Sequence, residues 1–244
     1  MEIYLEQALE DVRVVDADRN YWFVRSYSGQ LYNDFKNNNY IGLGFNQVPY
    51  NYIKEGSKKD ISTFERLQKF IEKTANIKKG EVTKWTNQLL NFEHEVKIGD
   101  IVIVPSRNSE HYSFGIVESE TILKKDPGTF SFENRFEPYP EKRKKVKWLK
   151  EFEKGDLQGD LTSLSASHQA LTAANKYSEV IEGHLSTVYI KDEKIYLTIS
   201  INQDEDINAF ELNRFLDSLT FFYKEFCEEN GIEANEDLYI KIKL

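Results

Sequence analysis

Four β-branched residues in succession, Ile101-Val102-Ile103-Val104, closed by Pro105, constrain this chain more tightly than any other stretch. A run of that length and type suits a strand covered on both faces, so the surrounding sequence has to supply two apolar layers. Ile98-Gly99-Asp100 reads as the turn that feeds it. Candidate partners lie on either side: residues 21–27, Tyr-Trp-Phe-Val-Arg-Ser-Tyr; residues 40–45, Tyr-Ile-Gly-Leu-Gly-Phe; and residues 112–117, Tyr-Ser-Phe-Gly-Ile-Val. These are aromatic and β-branched segments bounded by Gly, Asn and Pro, the pattern of strands. Together they predict one small β-barrel. A hydrophobic fraction of 40% with 14% aromatic residues is enough to fill its core.

Helical insertions separate the strands. Ser62 with Glu65 reads as a capping box ahead of Phe64, Leu67, Phe70 and Ile71, which share one helical face. After Gly80 a second helix carries Val82, Trp85, Leu89, Leu90 and Phe92, and Trp85 is assigned to the core. Residues 123–140, with Pro127-Gly128, Pro138 and Pro140, are expected to form a long loop. Residues 142–149 read as a basic strand, and 157–183 as two polar helical stretches.

The tail has its own periodicity. Residues 187–190 and 194–201 predict a hairpin turning at Asp192-Glu193. Asp206 or Asn208 caps a helix with an apolar face from Leu212 to Phe226, which Gly231 ends. Residues 237–244 alternate with period two, as a half-buried strand does. The order is ββαβ. The chain stops on a strand, which leaves an edge for another subunit to complete or marks a piece cut from a longer chain.

Net charge is −9, unevenly spread. Residues 151–244 carry 8 Lys and Arg against 19 Asp and Glu, a net −11, whereas the first 150 residues carry +2. An acidic tail repels nucleic acid and suits contact with protein; a near-neutral body with a local basic run can hold a phosphate backbone. The basic run is Lys142, Arg143, Lys144, Lys145 and Lys147, five positive charges in six residues with no carboxylate among them. No stretch has the length of a membrane-spanning helix, and the acidic N-terminus lacks the plan of a signal peptide. With a single cysteine, Cys227, no internal disulfide can form; these features point to the cytoplasm.

The order of signals over residues 21–185 resembles the EVE-like branch of the PUA superfamily, near relatives of the YTH domains. The residues that carry the resemblance are Trp22-Phe23-Val24-Arg25, Ile41-Gly42-Leu43-Gly44-Phe45, the run from Gly99 to Pro105, the strand from Tyr112 to Val117, and Arg143-Lys144-Lys145-Val146-Lys147-Trp148-Leu149. The resemblance implies a nucleic-acid-binding domain that holds one extruded, often modified base in an aromatic pocket, beside effectors of restriction or antiviral defence. It implies base-pocket roles for Trp22, Phe45 and Tyr112, and phosphate contacts for Arg25, Arg107, Lys142, Arg143, Lys144, Lys145 and Lys147. Relatives place a Trp near the end of the Gly42–Phe45 segment; here Phe45 stands in its place.

No catalytic constellation accompanies these residues. His94, His111, His168 and His184 show no metal-ligand spacing, Ser165 and His168 do not make a triad, and no phosphate-cradling Gly-rich loop is present. The expected protein is a non-enzymatic α+β chain without metal or cofactor. It comprises an N-terminal arm (1–19), a PUA/EVE-like small β-barrel with helical insertions (20–185) and an acidic C-terminal ββαβ domain (186–244). The barrel is expected to sense nucleic acid through base flipping, with DNA favoured over RNA and an RNA reader as a further possibility. The tail is expected to bind an effector protein or a second copy of itself. The competing expectation is a protein-interaction or small-ligand scaffold without nucleic-acid binding.

Overall fold

A computed structural model describes residues 13–55, 61–75, 77–157, 161, 163–186, 188–192, 194–200, 209–229, 231 and 239–243. Among the described residues the elements are, in chain order, strand β1 (Arg13–Val14), β2 (Tyr21–Val24), helix α1 (Tyr32–Asn37) and β3 (Tyr40–Leu43). Three helices follow, α2 (Tyr50–Lys54), α3 (Ile61–Thr74) and α4 (Lys79–Leu90), the last running into a π-turn over Asn91–Glu95. Then come β4 (Ile101–Pro105), β5 (His111–Val117), β6 (Ile122–Leu123), β7 (Thr129–Phe132), β8 (Arg135–Pro138), β9 (Lys142–Glu153) and β10 (Leu171–Ala173). Helix α5 (Ser178–Leu185), strands β11 (Val188–Lys191) and β12 (Lys194–Ser200), helix α6 (Ala209–Glu229) and β13 (Tyr239–Lys243) complete the chain.

The described residues fall into two compact units, 19–178 and a second that joins 13–18 to those from 179 onward. In the first, the strand order is β10-β2-β4-β5-β9-β3, with β6 paired to β9. As its composition requires, β4 lies in the interior of the sheet, between β2 (parallel) and β5 (antiparallel), with all five residues buried. The twelve-residue β9 makes the sheet curl into a half-barrel. Its first four residues pair with β3 and its later residues with β5, and the register slips at Phe114/Gly115. A β-bulge of this kind bends a strand and increases its twist. The core inside the curl holds Val24, Leu31, Phe35, Ile41, Leu43, Phe92, Val102 and Val104. A second cluster, with Val48, Ile53, Leu67, Ile71, Val82 and Leu89, ties α2, α3 and α4 together.

Three local expectations are corrected. Helix α3 begins at Ile61, so Ser62 lies inside its first turn instead of capping it. Residues 129–138 form the β7–β8 hairpin instead of a loop: Glu133 and Asn134 both turn with positive φ (48° and 64°), the backbone that matches the right-handed twist of two strands. Among the described residues of 157–183, the second expected helical stretch is an α-helix only from Ser178. Leu171–Ala173 pairs with β2, flanked by short 3-10 turns.

In the second unit the strand order is β1-β11-β12-β13. Arg13 and Val14, in the stretch read as an arm, pair in parallel with Tyr189 and Ile190. β11 and β12 are antiparallel, with Asp192 in the turn at φ 51°, and β13 runs parallel to β12. Gly231, at φ 65°, lies two residues past the end of α6, where a left-handed residue satisfies the last turn. The expected caps Asp206 and Asn208 lie outside the described residues, and the side chains of Leu212, Phe215, Leu216, Leu219, Phe222 and Phe226 and of 237–244 are not among those described. Cys227 is a buried free thiol.

Candidate functional site

Where β2 ends, the chain turns through Tyr27, Ser28 and Gly29, all three at positive φ (51°, 52° and 86°). Where β3 ends, Gly44 leads into Phe45, also left-handed at φ 56°. Left-handed backbone is costly for an aromatic residue, of the order of 1–3 kcal/mol, and is retained where surrounding contacts over-determine it. Both turns face one cleft of about 400 Å³. Its aromatic wall is Tyr27, Phe45, Trp85 and Phe132, and its polar rim is Arg25, Arg135, Glu137 and His168.

Side-chain contacts account for the strained positions. The Phe45 ring packs against both apolar clusters and against Trp85 of α4, with ring centroids 4.1 Å apart. Its carbonyl accepts a hydrogen bond from the Lys142 Nζ (3.1 Å). The Tyr27 ring meets Phe130 and Phe132 of the β7–β8 hairpin edge-on, at 5.1 and 5.7 Å. Its hydroxyl lies over Gly44, so close that a methyl group there would come within 2.0 Å of it. Gly44 is therefore the residue that lets Tyr27 close over the β3 turn. Burial, with the Glu137 carboxylate adding to it, pushes the Tyr27 phenol up to about 12, so it faces the cleft as a neutral hydroxyl at physiological pH. Glu137 itself pairs with Arg135 Nε at 2.9 Å.

Of the residues assigned to the base pocket from sequence, Phe45 lines the cleft. Trp22 and Tyr112 do not. Trp22 is buried in the half-barrel core, and its indole N–H donates to the Asp100 carboxylate (2.9 Å). That carboxylate also accepts from the backbone N–H groups of Asn20 and Lys97, so Trp22 belongs to a structural lock between β2 and the turn before β4. Tyr112 is 1% exposed, and its hydroxyl shares a hydrogen bond with Ser165 Oγ (2.5 Å).

The basic run divides by strand alternation. Lys142, Lys144 and Val146 point inward from β9 and are buried, while Lys145 and Lys147 are exposed. Lys142 and Lys144 therefore offer no ammonium to a phosphate at the surface. Burial pushes the Lys142 amine down to about 8, with Glu141 opposing the shift. Burial also lowers Lys144, which lies over the Phe92 ring and 3.8 Å from Glu120, too far for a hydrogen bond. Arg143 stacks over Tyr40 (4.1 Å) and donates to the Pro140 carbonyl. Arg25 lines the cleft, and its guanidinium donates to the carbonyls of Ser165 and Ser167. Arg107 is exposed on the loop between β4 and β5.

Sequence reasoning missed Tyr27, Trp85 and Phe132 as cleft residues. Trp85 had been assigned to the core, and it does pack on the helical cluster, but one side of it faces Phe45 and the cleft. The hairpin that supplies Phe132, Arg135 and Glu137 lies in the stretch whose prolines and glycine predict a loop. Among the described residues no three His, Cys, Asp or Glu side chains gather as a metal site, and no helix is long and apolar enough to cross a membrane.

Fold and cleft together define an α+β domain with a curled sheet and an aromatic-walled cleft at the ends of two of its strands. Residues 23–173 match the family described as a domain of unknown function, DUF8426, and the chain belongs to that family. Every residue lining the cleft falls within the matched span. No curated protein matches the chain.

Proposed function

We propose that this chain is a nucleic-acid sensor of the EVE/PUA type that holds one extruded, modified base, from DNA in preference to RNA, in the cleft between Phe45, Trp85, Tyr27 and Phe132. The observation that carries the reading is the cleft's construction: four aromatic side chains converge on it, and Tyr27 and Phe45 are held in left-handed backbone to do so. A base leaving a duplex loses a few kcal/mol of stacking and pairing, and each aromatic face it meets returns ~1–3 kcal/mol. A methyl or similar group on the base is read by apolar contact, which this wall supplies. Trp85, reaching in from α4, takes the part of the aromatic residue that relatives place near the end of the β3 segment. Arg25 at the cleft, with Arg107, Lys145 and Lys147 elsewhere on the surface, are the cations left to meet phosphates. No catalytic role is assigned to any residue, and the acidic unit is read as the part that binds an effector or a second copy.

The test is binding of labelled oligonucleotides at two salt concentrations: unmodified, 5-methylcytosine, 5-hydroxymethylcytosine and N6-methyladenine duplexes, with single-stranded DNA and RNA. A preference for one modified base that persists at higher salt and falls at least tenfold in Phe45→Ala is expected. Binding that salt removes equally from every ligand would reduce the protein to a non-specific phosphate-contact surface; absence of binding at either salt would refute the reading.

A further inference from the structure

A second cavity, of about 260 Å³, adjoins the aromatic cleft and shares two of its lining residues, Arg25 and Ser28. Its chemistry is the opposite of the cleft's. Beside the shared pair the lining is Ser26, Gly29, Pro105, Ser106, Asn108, Ser109 and Ser165, with no carboxylate and no aromatic ring. It is closed by two backbone segments pressed together: a methyl group on Gly29, at φ 86°, would lie 2.2 Å from the Arg107 backbone nitrogen. On the facing loop Asn108 and Ser109 are both left-handed (φ 57° and 56°).

The hydrogen-bonding groups around this cavity divide into two sets. Ser26 donates to the Pro105 carbonyl, Ser106 receives the His111 N–H, and Ser165 is held by Tyr112, so these three are fixed by the fold. The side chains of Ser28, Asn108 and Ser109 make no hydrogen bond to any described residue. Arg25 directs Nε and one terminal nitrogen at backbone carbonyls and pairs with no described carboxylate, so its positive charge is anchored without being neutralised. A fixed guanidinium with spare N–H donors, ringed by free hydroxyl and amide groups and without an anion, is the arrangement that receives a phosphate.

We infer that this polar cavity is an anion pocket that takes a phosphate of the strand whose base enters the cleft; this assignment rests on the base-binding reading above. A base and its own phosphate are separated by one sugar, and two cavities that share Arg25 and Ser28 present their ligands side by side in the same way. Arg25 then contacts both parts of one nucleotide, and Tyr112 acts as a positioning residue through Ser165.

The test uses the full chain and two independent probes, followed by amide chemical shifts: inorganic phosphate for the polar cavity, at constant ionic strength against chloride, and free nucleosides of the oligonucleotide panel for the cleft. Asn108→Asp places a carboxylate in the cavity, is near-isosteric, and suits left-handed backbone as Asn does. Phosphate is expected to shift the amides of Ser28, Ser106, Asn108 and Ser109 saturably. Asn108→Asp is expected to weaken phosphate at least tenfold while changing nucleoside affinity less than twofold. Absence of a saturable shift at these amides, or equal phosphate affinity in Asn108→Asp, overturns the anion pocket. Phosphate binding without any nucleoside binding refutes the base-binding reading alone and supports the pocket.

Discussion

Replacing Lys142 by Met separates the two things this buried lysine does. Its side chain is 2% exposed, and its amine, pushed down to about 8 from an ordinary 10.5, donates to the carbonyl of the strained residue Phe45. Because the folded-state value is the lower one, the unfolded chain binds the proton more tightly. The protonated lysine therefore costs stability at pH 7, and that cost is relieved as pH rises from about 8 towards 10.5. Between pH 7 and pH 9.5 the relief comes to about 2 kcal/mol from a shift of this size. Lys142→Met has no such group, so its stability should fail to gain that increment. At pH 7 the variant loses a charge-assisted hydrogen bond, worth ~1.5–3 kcal/mol, and escapes a desolvation cost of similar size, leaving it near wild-type stability. The assay is urea unfolding of both proteins at pH 7, 8.5 and 9.5, taking the difference between them at each pH. The difference should move in favour of wild type by about 2 kcal/mol across the series. Parallel pH profiles would refute the reasoning, because they would mean that Lys142 titrates alike in the folded and unfolded chains.

Other perturbations follow from the same contacts. Gly29→Ala should destabilise by at least ~2 kcal/mol in chemical unfolding, since it combines a left-handed φ with a methyl group 2.2 Å from the Arg107 nitrogen. Trp22→Phe should cost ~1–3 kcal/mol by leaving a buried Asp100 oxygen without its indole donor, yet leave oligonucleotide preference intact; a change in preference would restore Trp22 to the pocket. Gly44→Ala should displace the Tyr27 ring and weaken modified-base binding severalfold, read by fluorescence anisotropy. Exchanging Lys145 and Lys147 together for Gln should flatten the salt dependence of binding by up to about two phosphate contacts without altering base preference.

Several parts of this architecture are legible in the sequence. Ile101–Val104 had to be an interior strand because all four residues are β-branched and apolar, and Gly99-Asp100 had to turn because the run needs an entry. The resemblance assigns phosphate contacts to all five cations of the basic run, although the sequence holds a clue against it: Val146 faces inward, and period two puts Lys144 and Lys142 on the same side. What opposed that inference was the ordinary rule that lysines stay outside, here overridden by a ring beneath Lys144 and a carbonyl within reach of Lys142. Phe45 could be proposed because it follows a Gly-rich strand end. Trp85 could not be, since a helical stripe specifies which face is buried and not which neighbour covers it. The hairpin at 129–138 was masked by its prolines, although Phe130 and Phe132 alternate and Asn134 accepts a left-handed turn. Trp22 and Tyr112 show the converse: each aromatic residue had a polar tip with a partner distant in sequence, Asp100 and Ser165, and no local pattern reveals such a pairing.

The central claim is that a base enters the cleft walled by Tyr27, Phe45, Trp85 and Phe132 and meets the exposed side of Trp85. The most direct measurement is tryptophan emission during titration with the best-bound oligonucleotide, in wild type and in Trp85→Phe, with binding followed separately by a label on the strand. The account expects binding to quench wild-type emission, and expects Trp85→Phe to keep most of its affinity while losing the quench. A quench of equal size in Trp85→Phe, or binding to wild type with no change in emission, would contradict it.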